Sequence, residues 1–156
     1  RRVLFRSKYK VQQVDGNKFK LRINQVFNEI DLSGKLANEC WSDFERKIKY
    51  WNSNLVEIQN FIDTWKANAP ELRTLIKTPA ELASGLIAAG SPIDFQELNP
   101  SVGAELARWA VANSHLMRNR FVGIDLLEFL GLWENSQLDL VFEKVQSAIK
   151  GAKYAS

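Results

Sequence analysis

The stretch FERKIKYWNSNLVEIQNFIDTW, residues 44–65, decides the fold. Its apolar residues fall at Phe44, Ile48, Trp51, Leu55, Ile58, Ile62 and Trp65, in alternating steps of four and three. That spacing keeps one stripe of a helix turned towards a packing partner. Ser33 is suited to the N-cap, and Asn68-Ala69-Pro70 marks the end, because the residue before a proline is driven out of the helical region. Asn52, Ser53 and Asn54 are weak helix formers at the centre, so the element is expected to bend or split there. A stripe of this length belongs in a core.

Downstream, the punctuation is again helical. Thr78-Pro79-Ala80-Glu81 reads as a capping box with proline at the first helical position, and Gly90 stands where a C-terminal cap belongs. The short helix between them is expected to be mostly buried. A brief turn at FQEL leads to Asn99-Pro100, read as a cap followed by proline, and to a helix running to about Arg118. Its predicted inner face holds Leu106, Trp109, Ala110, Asn113 and Met117. Another helix, from about Val122 to Leu130, ends at Gly131. The last runs from Ser136 to Ile149 with Leu138, Val141, Phe142 and Val145 inward, and the tail after it is expected to fray. The sum is an all-α bundle of five or six helices.

Upstream, residues 8–30 form a lead-in whose first part, KYKVQQVDGNKFKLRI, alternates apolar and charged positions around Asp15-Gly16. That dipeptide favours a tight turn, which predicts a short β-hairpin with Phe19, Leu21 and Ile23 on one face. A helix beginning near Asn17 also fits several of these positions. Lys8, Lys10, Lys18, Lys20 and Arg22 are read as a solvated face rather than a phosphate-binding strip. Residues 1–7, RRVLFRS, stand apart: RVLFRS matches the in-frame translation of a sequencing adapter, and a native basic arm is the other reading.

Charge narrows the function classes. The pI is near 9.0, yet setting Arg1, Arg2 and Arg6 aside reduces 21 Lys and Arg to 18, against 18 Asp and Glu. No basic surface for nucleic acid is therefore expected from residues 8–156. No apolar run approaches a membrane span and no signal peptide is evident, which predicts a cytoplasmic protein. The single Cys40 is read as a small buried residue.

Chemistry is sparse. One histidine and one cysteine, Cys40 and His115, cannot compose a metal site or a hydrolytic triad by spacing. No glycine-rich phosphate loop occurs. Paired acids such as Asp43 with Glu45, or Asp125 with Glu128, are read as solvated charge. The remaining candidates are His115, Arg118 and Arg120. They form either a polar seam at a helix C-terminus, where cations meet the negative end of the dipole, or a contact to an anionic substrate or a neighbouring domain's carboxylate.

The strings ECWSDFERKIKYW (39–51), LIAAGSPIDFQELNP (86–100) and RWAVANSHLMRNRFVGIDLLEFLGLW (108–133) resemble the C-terminal helical region of bacterial sn-glycerol-1-phosphate dehydrogenase-like proteins. These belong to the iron-containing alcohol dehydrogenase and glycerol dehydrogenase superfamily. The resemblance implies that residues 31–156 are the helical domain of a two-part enzyme. Its N-terminal half would bind NAD(P), and one Asp and two His would hold a divalent metal acting as a Lewis acid. His115 falls after the region where those ligands belong and is assigned no metal role. The chain alone is expected to be inactive, its partners being the nucleotide-binding half and a second subunit. A self-contained interaction module, docking a helix along Trp51 and Trp65, is the rival from another class.

Overall fold

The computed structural model describes residues 8–155, so the adapter-like segment 1–7 lies outside the described residues. Among them the secondary structure is helical throughout, with α1 (Gly16–Asn28), α2 (Lys35–Ser53), α3 (Leu55–Asp63), α4 (Trp65–Thr74), α5 (Pro79–Ala88), α6 (Ala104–Asn113), α7 (Gly123–Phe129) and α8 (Asn135–Ala155). Two 3₁₀ turns, Phe95–Glu97 and Ser114–Met117, complete it. The all-α class holds, whereas a count of five or six helices is too low. The long stripe is cut into α2, α3 and α4, and the break at Asn54 falls within the weak Asn-Ser-Asn run. Pro70 does not stop the chain: α4 restarts at Trp65 and carries the proline inside it, forgoing one amide bond.

The predicted hairpin is not formed. Asp15 caps α1 instead, its carboxylate accepting from the Asn17 amide at 2.9 Å. Phe19, Ile23 and Phe27 recur every four residues and are buried, while Leu21 is exposed. The four-residue recurrence overrides the two-residue alternation that suggested strands.

The chain divides into two compact units, one of residues up to Lys66 with Asn113–Trp133, the other of Ala67–Ala112 with Glu134 onward. In the first, α1 packs along α2, and the 3₁₀ turn Ser114–Met117 packs against α2. Its core is aromatic. Phe129 lies 5.4 Å from Phe19, 5.7 Å from Phe44, 5.1 Å from Trp51 and 5.9 Å from Phe121, mostly edge to face. Ahead of α1 the chain has no regular secondary structure and is held by side chains rather than by a partner strand. Gln59 accepts from the Val11 amide and donates to the Tyr9 carbonyl, Asn52 does the same for Val14, and the Trp51 indole donates to the Gln12 carbonyl. Each amide side chain thereby supplies the donor and acceptor that a neighbouring strand would provide.

The second unit is built on α5 packed along α8. Its signals are local and match expectation: Thr78 and Glu81 form the reciprocal capping box, and Gly90 at φ 65° closes α5 with Ser91 donating to Leu86. Its helix α5 is not mostly buried; Ala83 alone is enclosed there, with Leu82 and Leu86 exposed. Likewise α6 begins at Ala104, after a cis Asn99–Pro100 bond, and buries Ala107 rather than Leu106. Helix α8 continues to Ala155 and turns Leu138, Ile149 and Ala152 inward, with Val141 and Val145 exposed. No helix among the described residues is long and apolar enough to cross a membrane.

Candidate functional site

The polar side chains of the first unit converge on one buried knot. Lys47 lies on the inner face of α2, one residue before Ile48 and three after Phe44, so the helical period itself carries its ammonium into the core. There the Lys47 Nζ donates to the His115 carbonyl at 2.6 Å and to both oxygens of Asp125 at 2.9 and 3.0 Å. Both side chains of this ion pair are fully buried. The Phe44 ring lies 5.2 Å from the same ammonium. Asp125 is at the third position of α7 and also accepts from the Val122 amide at 2.7 Å, which caps that helix.

A second pair stands beside the first. One turn on from Asp125, Glu128 accepts from Arg22 of α1 at 2.6 Å through Oε1. Its other oxygen faces the His115 Nε2 at 3.4 Å. Neither that oxygen nor either His115 ring nitrogen closes a hydrogen bond among the described residues. Burial by itself would raise the Glu128 carboxyl, but the His115 contact and the Arg22 pair outweigh it and hold it below the usual carboxylate range. The knot therefore sets two cations, Arg22 and Lys47, against two anions, Asp125 and Glu128, with an imidazole between them.

The arrangement separates the three residues singled out from sequence. His115 is buried in the knot, its ring 6.2 Å from Phe44. Arg118 and Arg120 are exposed on the loop that leads into α7. Arg22, Lys47, Asp125 and Glu128 do meet, although the sequence predicts solvated charge at Arg22, Asp125 and Glu128. A signal for Lys47 was present: it lies within the apolar stripe, where a solvated lysine has no place. For Asp125 and Glu128 the clue was their interleaving with Ile124, Leu126, Leu127 and Phe129, which leaves a seven-residue helix no fully polar face. Cys40 is buried as expected; burial, then the nearby Glu39 and Asp43 charges, push its thiol up and away from nucleophilic use.

The chemistry open to this knot is limited. A metal needs converging anionic or neutral donors, yet the Asp125 carboxylate is capped by an ammonium and Glu128 by a guanidinium. Among the described residues no group of three His, Cys, Asp or Glu is placed to hold an ion. These residues do not fit the catalytic metal that the resemblance implies. A separate open cleft of about 530 Å³ is lined by Lys8, Tyr9, Lys10, Gln12, Gln13 and Phe129–Gly131, and carries no acid or base pair. Searches against protein-family models, curated proteins and solved structures found no significant match to the chain.

Proposed function

We propose that the chain is the helical, supporting part of an NAD(P)- and metal-dependent dehydrogenase acting on glycerol phosphate or a related polyol. On this reading NAD(P) and the divalent metal are held by another part of the protein, and the helices wall the cleft and brace it. One observation carries the proposal. Lys47 of ECWSDFERKIKYW, His115 of HLMRNRF, and Asp125 and Glu128 of DLLEFLG, residues of two of the strings that carry the resemblance, pack into a single buried network. Charges consumed in holding segments together suit a scaffold, not a reactive centre.

Extending the coding sequence upstream of Lys8 tests this reading. The expected result is a frame that continues into a glycine-rich nucleotide loop and a pair of metal-binding histidines, and whose product reduces NAD(P) with a polyol phosphate. A product of the extended frame with neither feature and no such activity would overturn it. The interaction-module reading draws on the apolar surface of the second unit, where Leu75, Ile76, Leu82 and Leu140 are exposed. Its docking seam is weakened, because Trp51 is fully buried and its indole N–H is already engaged.

A further inference from the structure

Residues 8–14 precede α1, and none of their side chains is buried: Tyr9, Val11 and Val14 are half-buried, while Lys8, Lys10, Gln12 and Gln13 are exposed. Their main chain supplies the points of attachment. Gln59 of α3 accepts from the Val11 amide at 2.8 Å and donates to the Tyr9 carbonyl at 3.1 Å. Asn52 of α2 accepts from the Val14 amide at 2.8 Å and donates to the Val14 carbonyl at 3.1 Å. Between these two anchors the Trp51 indole donates to the Gln12 carbonyl at 2.8 Å.

The segment that follows is fastened differently. From Gly16 the chain is helical, and Phe19, Ile23 and Phe27 anchor α1 in the core. Asp15 separates the two regimes: its carboxylate accepts from the Asn17 amide at 2.9 Å, so α1 keeps its own cap whether or not residues 8–14 are in place. A segment with few buried apolar contacts, hydrogen-bonded through half-buried side chains, sits at the low-stability end of a fold, where opening is local. Opening here has a consequence for the surface beside it. Lys8, Tyr9, Lys10, Gln12 and Gln13 form one wall of the cleft of about 530 Å³, and Phe129 with the two residues after it forms the other. Phe129 meets the Trp51 ring at 5.1 Å, so the far wall and the anchor of the near wall belong to one aromatic cluster. Trp51 is fully buried, and withdrawal of the Gln12 carbonyl leaves its N–H without that acceptor.

We infer that residues 8–14 are a detachable strap and the movable wall of this cleft. The strap leaves α2 and α3 as one unit while α1 stays folded, and in leaving it opens the cleft and frees the Trp51 N–H. Hydrogen exchange on the full chain tests this through the amides of Val11 and Val14 and the Trp51 Nε1–H, with the amides of Ile23 and Phe27 reporting on α1. After correction for intrinsic rates, the three strap reporters should share one opening constant, at least about a hundredfold larger than that of the two α1 amides and nearly independent of urea. Gln59→Leu removes the bonds to Tyr9 and Val11 but leaves Asn52 and Trp51 in place. It should speed exchange at Val11, Val14 and Trp51 together by about tenfold and leave Ile23 and Phe27 unchanged.

Exchange of the strap reporters with the opening constant and urea dependence of Ile23 and Phe27 would overturn the strap, since opening would then be global. Acceleration of Val11 alone in Gln59→Leu would overturn it equally, because the bonds would then break one at a time.

Discussion

The two units of this chain are held together by opposite means. The first buries large rings and long charged side chains: Phe27, Phe44, Trp51, Lys47 and Asp125 are all essentially inaccessible. The second buries mainly small residues, Ala69, Ala83, Ala107 and Ala152 with Leu138 and Ile149, and leaves many of its leucines outside. Its ion pairs Arg108 with Asp139, Lys153 with Glu97 and Lys77 with Glu81 lie at the surface. The contrast shows where specificity is stored. In the first unit it resides in long-range charge pairs enclosed in the core, and in the second the ion pairs stay at the surface while local caps define the helix ends.

The largest expected effect lies in the first unit. Lys47→Met leaves the Asp125 carboxylate buried without its cation and should cost about 3–5 kcal/mol in chemical denaturation. A loss below about 1 kcal/mol would mean that the pair is not closed in solution.

Acid should act on the same unit through Glu128. Its folded-state pKa is depressed, so its contribution to stability is present above the unfolded value, about 4.3 for a glutamate, and is lost as pH falls through the folded one. Melting temperature measured from neutral pH downward should therefore decline more steeply below pH about 4 in the wild type than in Glu128→Gln. Parallel curves would show that the Arg22 and His115 contacts do not favour the ionised form.

On the second unit, Thr78→Ala removes the hydroxyl that accepts the Glu81 amide at 3.2 Å and should cost about 1 kcal/mol, read as a lower melting temperature. Smallest of all, Arg108→Ala breaks a surface pair and should change stability by no more than about 0.5 kcal/mol. An effect from Arg108 as large as that from Lys47 would erase the distinction between the two units.

How much of this was legible follows the same division. The capping box at Thr78, the glycine stop at Gly90 and the stop at Gly131 were readable because each is written within a few residues and needs no distant partner. The break at Asn54 was readable for the same reason. Asp15-Gly16 misled, since an aspartate before a glycine serves a turn or a helix cap equally, and only the burial of Phe19, Ile23 and Phe27 decides between them. The knot was hidden by distance. Lys47 meets Asp125 across 78 residues, and a charged side chain looks solvated until the element that buries it is known. His115 stood out for being the single histidine, but its environment, shared with Glu128 and Arg22, is made by three separate segments.

The buried charges of Lys47 and Asp125 act as an internal tie between α2 and α7. A double-mutant cycle on Lys47→Met and Asp125→Asn, followed by urea unfolding, tests it most directly. Each single variant should be strongly destabilised and the double variant should not be the sum of the two, with a coupling of about 2–3 kcal/mol. Additive losses, with a coupling near zero, would contradict it.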